Sequence, residues 1–491
     1  MNSILSEANL KKLPRPIRNE LIITPKILHF GPGAFFRSFV ASLIDAVNQK
    51  DDEKWGILAV SLNSENTFKK LSGQDLVFHS LSMSSTNRQV QQICSISDFV
   101  VAKKDGQSVL DALSDEQIEI VSLTITEKGY YYNSGKKELD FGDQNIIDDL
   151  GNPEKPKTAV GFIVAGLKDR YLNGKAPFTI LSCDNLPNNG AVVKKIILDF
   201  AQKIDHQLAT WISKEVSFPS SMVDRITPAT KEQDIINFAE EYGMHDPALV
   251  IHEEFFQWVI EDKFSSTKPN FPLAGIQIVS NVDVHEKMKL RCLNGTHSAL
   301  AYLGYLAGYN TIAECVSEGS MVNYIQYLWE KEIIPTLETP EGENLNDYCS
   351  KLLERYQNPA IEHRTWQIAM DGSQKLPQRI LETVSDLLKH QRNFQGLALA
   401  IAAWIKYVSG IDLNGKFIDV RDPLANDFSM VAKNSKTSEH YVDSILDQSK
   451  VFPENLRGSS TFRIQIQKSY KSLEQYGSLG SINKLMSFAE K

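Results

Sequence analysis

Within nine residues, Lys289-Leu290-Arg291-Cys292-Leu293-Asn294-Gly295-Thr296-His297 sets a lysine, an amide and an imidazole side by side in the chain. These types suit the reduction of a carbonyl without a metal. A ketone that accepts hydride builds negative charge on its oxygen, so it needs donors aimed at that oxygen and an acid to supply a proton. Lys289 would be the acid, Asn294 a donor and His297 an orienter. The spacing alone carries no chemical specificity, because the same residues also make solvated charges at a helix start followed by an Asn-Gly turn. On a regular α-helix Asn294 and His297 share a face, while Lys289 lies about 80° around and roughly 12 Å along from His297. The functional reading therefore demands an irregular helix start or a bend. It also demands a lysine whose ammonium is destabilised by burial and by like charges such as Lys287 or Arg291.

A second stretch with chemical content lies near the N-terminus. Lys26 to Phe30 reads as a strand that enters the turn Gly31-Pro32-Gly33, with an apolar helical pattern behind it. Glycines there let the backbone approach a pyrophosphate, which the helix N-terminus then holds. Phe36 stands where the usual third glycine would be, and GxG by itself is also an ordinary strand-to-helix turn. The residues expected at a dinucleotide are Phe30, Gly31, Gly33, Phe35 and Arg37, together with Asn63 beyond the second strand. That strand ends Ser61-Leu62-Asn63-Ser64-Glu65, with an acid and no arginine, which favours NAD over NADP.

The elements that must position these groups follow from periodicity. Short β-branched runs at Lys26 to Phe30, Gly56 to Leu62, Ile118 to Thr124, Phe178 to Ser182 and Gly275 to Val282 alternate with helical patterns, which predicts a doubly wound parallel sheet. Ligands collect at the carboxyl ends of such strands, where Gly31, Asn63, Glu127, Asp184 and Asn185 fall. Beyond about Val284 helical spacing takes over, as in Ser298 to Leu306, Met321 to Ile333, Leu345 to Tyr356, Ile380 to Leu388 and Leu397 to Val408. The expected organisation is an α/β domain over 1–282 and a mostly α-helical domain over 283–491.

Bulk properties exclude several classes. The formal charge of -9 and a pI near 5.7 disfavour nucleic acid or an anionic membrane as the main partner. The longest apolar run, Leu397 to Ile405, is far below the ~18 residues of a membrane span. The stretch Met1 to Arg18 is polar and without a secretory h-region. Five scattered cysteines, never in a CxxC pair, predict reduced thiols and a cytoplasmic protein. His285-Glu286 could open a zinc motif, but Lys289 stands where its second ligand belongs, so no metal is expected. A monomer or small homo-oligomer acting on a small molecule is the expected form.

Six motifs, in order, carry a family resemblance: Gly31 to Arg37 (GPGAFFR), Ser122 to Tyr130 (SLTITEKGY), Ser182 to Leu186 (SCDNL), Met222 to Ile226 (MVDRI), Gln257 to Asp262 (QWVIED) and Lys289 to Ser298 (KLRCLNGTHS). Over nearly its whole length the chain resembles the long-chain mannitol dehydrogenases. The resemblance implies a Rossmann N-terminal domain, a helical C-terminal domain and metal-free catalysis centred on a lysine. Carried over by motif, Lys289 is the acid/base, Asn185 and Asn294 stabilise the alkoxide, and His297 contacts substrate. Glu127 and Asp224 become supporting carboxylates that relay protons or position the lysine, although either could simply cap a helix. Two departures from the family pattern are Phe36 and Phe39 in place of histidines in the glycine loop. A third is Glu254 in place of a proline.

Within the family, His363 to Arg379 is most similar to the fructuronate reductase (mannonate oxidoreductase) branch, and Gln367 stands where the mannitol 2-dehydrogenase branch carries arginine. The residues themselves agree with an acidic sugar. Pro377 suits the first turn of a helix, which would place Lys375 and Arg379 at its N-terminus, where dipole and cations favour a carboxylate. Arg364 is the third expected substrate-binding residue. The same cations could instead pair with surface acids such as Glu382. The leading expectation is NAD-linked interconversion of D-fructuronate and D-mannonate. The alternatives are D-fructose with D-mannitol, and a redox sensor that binds a dinucleotide without turnover.

Overall fold

The computed structural model describes residues 7–489 except 20, 21, 85, 134, 361 and 362; the first six residues of the polar N-terminal stretch therefore lie outside it. The chain divides into two compact units, Met1–Asp283 and Val284–Lys491.

The first unit is built on a five-stranded parallel sheet of β1 (Pro25–Phe30), β2 (Gly56–Ser61), β3 (Ile96–Val101), β4 (Ile120–Leu123) and β5 (Thr179–Ser182), in the spatial order β3-β2-β1-β4-β5. That is the 3-2-1-4-5 order of a dinucleotide-binding sheet. β4 and β5 are buried along their whole length and β2 along all but its last residue, as helices on both faces of a parallel sheet require. Phe30 pairs with both Val60 and Leu123, and Leu123 pairs with Ser182, so the loops after β1, β2, β4 and β5 emerge at one end.

β3 was missed by periodicity because Ser97 and Asp98 interrupt its apolar run. The segment Gly275 to Val282, expected to join the parallel sheet, does not. Only Gln277–Val279 (β8) is extended, and it pairs with Gln257–Glu261 (β7), itself antiparallel to Ser221–Asp224 (β6), in a separate sheet. Gly275, at φ 77°, ends a 3-10 turn just before it. A third sheet joins Val250–Glu253 to the hairpin of Phe78–Met83 and Arg88–Ile93.

The second unit is helical, and among its described residues the only extended pairings are single bridges, Thr311 with Arg364 and Ile411 with Phe417. Its core runs along α1 (Thr296–Ala307) and α3 (Gln395–Val408), nearly every residue of which is buried, with the helix α2 (Leu345–Tyr356) contributing Leu345, Leu352 and Tyr356. Three helical runs contain π-helical turns: Lys289–Gly295 before α1, Leu328–Ile333, and Pro377–Leu381.

Candidate active site

At the glycine turn, Gly31 has φ 95°, and a Cβ there would lie 2.1 Å from the Thr124 carbonyl oxygen, so only glycine fits. The turn is pinned from three sides. Gly31 N–H donates to Val60 O (3.0 Å), the Thr124 hydroxyl donates to Gly31 O (2.7 Å), and Gly33 N–H folds back to Gly31 O (2.7 Å). A Cβ on Gly33 would meet nothing nearer than Gly31 O at 3.9 Å. That open backbone at a helix start fits a pyrophosphate.

Phe30 is wholly buried beneath the turn. Arg37, 6 % exposed, faces inward: its guanidinium donates to Pro32 O (3.1 Å) and lies over the Phe78 ring, and burial lowers its pKa to about 10. It holds the loop from behind. Phe35 stacks on Phe39 at 4.9 Å, and Phe36 stacks on His29 at 3.9 Å. His29, bonded to Ser122 and Thr124, is kept neutral by burial, with its pKa lowered to about 3. Asn63 is exposed after β2. Glu65, just beyond, pairs with Lys104 at 2.9 Å and Lys69 at 3.4 Å.

The next strand ends carry Glu127, Asn185 and Asp224. Glu127 and Asn185 are exposed; Asp224 is buried at the end of β6. Asp184 joins two of these ends, because its carboxylate accepts the N–H groups of Ile125 (2.9 Å) and Thr126 (3.1 Å) and the Tyr130 hydroxyl (2.6 Å). Asn189 stitches the β5 turn to β6: its amide donates to Ser182 O, Asp184 O and Ser221 O, and it accepts Ser221 N–H at 2.9 Å. Burial pushes the Asp184 carboxyl up against these stabilising donors and pushes the Tyr130 phenol well above its usual range.

In the second unit Lys289, Asn294 and His297 are 6 %, 7 % and 8 % exposed, all on one helical run. The irregularity that the lysine requires is the π-helical turn Lys289–Gly295, whose i→i+5 bonding takes an extra residue per turn and re-phases Lys289 against His297. Side chains satisfy the carbonyls that such a turn loosens. Thr296 Oγ1 and Trp329 Nε1 donate to Cys292 O at 2.6 and 2.9 Å, and the Tyr356 hydroxyl donates to Leu293 O at 2.9 Å. Arg291, expected to repel Lys289, is instead compensated by Asp386 at 2.7 Å and bonded to Thr336.

His297 stacks on Tyr356 at 5.3 Å and meets His363 edge-on at 4.3 Å. Its Nε2 is buried and has no hydrogen-bond partner among the described residues. Burial first, then His363, Arg379, Arg355 and Lys375, hold its pKa well below the ordinary histidine value. Burial, then Arg355 and Arg379, lower the pKa of His363 to about 4.

Lys375 and Arg379 are thus gathered near His297, but not at a helix N-terminus. The helix starts at Gly372, Lys375 sits in its last turn with Nζ donating to Met370 O (2.7 Å), and Pro377 opens a π-turn that continues it. The dipole argument for the carboxylate therefore fails: the run begins five residues before Pro377, Arg379 lies about two turns inside it, and Lys375, at the end of the run's first turn, points its ammonium at the Met370 carbonyl. Arg364 is exposed beside the Thr311 bridge and is not among the cations acting on His297. Sequence reasoning assigned no role to Asp184, Tyr130, Arg355 or His363. Asp184, next to Asn185 in the SCDN motif, Tyr130, at the end of the SLTITEKGY motif, and His363, at the start of the His363 to Arg379 stretch, left a local signal; Arg355 left none.

Residues 25–273 match the model of the mannitol dehydrogenase Rossmann domain, and residues 281–474 match that of the mannitol dehydrogenase C-terminal domain. The chain belongs to the mannitol dehydrogenase family. A D-mannonate oxidoreductase of Escherichia coli (strain K12) is 39 % identical over 94 % of this chain and 96 % of its own. An uncharacterized oxidoreductase of the same organism, YdfI, is 40 % identical over 98 % of this chain and 99 % of its own. The structure of Pseudomonas fluorescens mannitol 2-dehydrogenase, a ternary complex with NAD and D-mannitol, superposes with a TM-score of 0.85 at 34 % identity, covering 98 % of this chain and 99 % of that one. As a mannitol dehydrogenase family member, the protein is an oxidoreductase with a Rossmann domain. Its departures from the family pattern have local uses. Phe36 and Phe39 fill aromatic packing around His29 and Trp258, and Glu254 accepts the Asn87 amide at 2.7 Å.

Proposed function

We propose that this oxidoreductase uses NAD to interconvert D-fructuronate and D-mannonate. NAD supplies or takes up the hydride. Lys289 is the acid/base that moves the proton at the reacting oxygen, Asn185 and Asn294 donate to that oxygen as it becomes an alkoxide, and His297 presents its ring to substrate. Glu127 and Asp224 position Lys289 or carry its proton. Phe30, Gly31, Gly33, Phe35, Arg37 and Asn63 form or support the NAD loop. Lys375 and Arg379, with Arg364, are assigned to the substrate carboxylate.

The observation that carries this reading is the burial of Lys289, Asn294 and His297 on one π-turned helical run, with Lys375 and Arg379 near enough to His297 to depress its pKa. Such cations suit an anionic substrate. A likeness to a D-mannonate oxidoreductase supports it further. Among the described residues, no group of three or more His, Cys, Asp and Glu is arranged to hold a metal, and no helix is long and apolar enough to cross a membrane.

The second reading, D-fructose with D-mannitol, draws on the likeness to the mannitol-bound enzyme. NADH oxidation over a panel of ketoses and keturonates separates the two. The highest kcat/KM is expected for fructuronate, and a preference for fructose overturns the carboxylate assignment. No turnover on any member favours a dinucleotide sensor.

A further inference from the structure

Thr126 has φ 64°. A β-branched residue in the left-handed region is strained, and such strain persists only where the surroundings over-determine it. Here the surroundings are the Asp184 carboxylate. One oxygen takes Ile125 N–H and the Tyr130 hydroxyl, the other takes Thr126 N–H, and Tyr130 in turn meets Ser182 Oγ at 2.7 Å. The clamp ties Ile125 and Thr126, in the turn after β4 and just before Glu127, to Asp184, in the turn after β5 and just before Asn185. The donor set selects a carboxylate: asparagine offers one oxygen and would turn an NH2 toward a donor.

We propose that Asp184 is a positioning residue, which holds the strained Thr126 turn so that Glu127 is presented in a fixed relation to Asn185. The inference rests on the roles given above to Glu127 and Asn185.

Steady-state kinetics of Asp184→Asn, Glu127→Gln and the double variant test it, with amide hydrogen exchange of residues 123–130 as a readout independent of turnover. Asp184→Asn should lower kcat about tenfold to a hundredfold, as expected when a reacting group is misplaced by a fraction of an ångström. KM for NADH should change by less than about threefold. In the Glu127→Gln background the same substitution should have almost no further effect, because it acts through Glu127. A merely destabilising change would lower activity equally in both backgrounds. Thr126→Gly, which adopts a positive φ without strain, should restore part of the kcat lost in Asp184→Asn and slow the exchange of the 125–127 amides.

If Asp184→Asn fails to fold, Tyr130→Phe removes a single bond of the clamp and should show the same dependence on Glu127 with a smaller loss. Unchanged kcat in the Asp184 and Tyr130 variants, or equal losses with and without Glu127, overturns the positioning role. A wild type that turns over no ketose or keturonate while exchange follows the clamp overturns the proposed function instead.

Discussion

Gly295→Ala probes whether backbone contact sets the geometry of the helical-unit residues. A Cβ at position 295 would lie 2.7 Å from the Arg379 carbonyl oxygen, whereas ordinary contact begins at 3.4 Å. Both partners are backbone, so relief requires the Lys289–Gly295 turn and the Pro377–Leu381 turn to part by about 0.7 Å. Overpacking of this kind destabilises by about 1–3 kcal/mol, offset by the ~1 kcal/mol that alanine gains over glycine in a helix. The net expectation is a loss of up to about 2 kcal/mol in urea unfolding. Activity should respond far more, because displacing Asn294 against Arg379 by most of an ångström costs on the order of 10²-fold in kcat/KM. Chemical denaturation and NADH-linked assays on the same preparation give both quantities. If Gly295→Ala loses stability as expected but keeps wild-type kcat/KM, the contact is structural and the site does not depend on the separation of the two π-turns.

Lys289→Ala should lower kcat by on the order of 10² or more while NADH binding, followed by fluorescence, stays nearly intact; retained turnover removes the lysine from the mechanism. Arg379→Gln should lower the keturonate-to-ketose ratio of kcat/KM through a loss of about 1.5–3 kcal/mol on the acid substrate alone, and equal losses on both substrates would assign Arg379 to packing. NADH should be preferred to NADPH, since Lys69 and Lys104 near the end of β2 are both engaged by Glu65; an NADPH kcat/KM equal to that of NADH would refute this. Glu332 is buried, accepts Gly396 and Leu397 N–H, and has its pKa raised by burial from 4.5 to about 7. An acid with a raised folded pKa contributes stability that is complete below pH 4.5 and lost as pH rises through about 7, here up to about 3 kcal/mol. Glu332→Gln should therefore flatten the fall in urea midpoint between pH 5 and 8; an unchanged slope would show that other groups cause it.

The parts legible in the sequence are those set by neighbours in the chain. Short continuous apolar, β-branched runs placed β1, β2, β4 and β5, and the helix over Leu345–Tyr356 was bounded to the residue, because the run and the spacing of apolar side chains are local properties. Glycine at 31 announced a turn that no other residue could make, and the order of six short motifs carried the family. Tertiary structure alone decided the rest. The π-turn that re-phases Lys289 is held by Trp329 and by Tyr356, the latter 63 residues from the carbonyl it bonds. The strained Thr126 depends on a carboxylate 58 residues away, and the neutrality of His297 depends on burial and on cations from other helices. The start of the Lys375 helix was also not legible: Pro377 reads locally as a first turn, yet the helix begins at Gly372 and passes Pro377 as a π-turn. Periodicity reports which face of an element is apolar, but hydrogen bonds between distant segments decide where that element bends and what its charges meet.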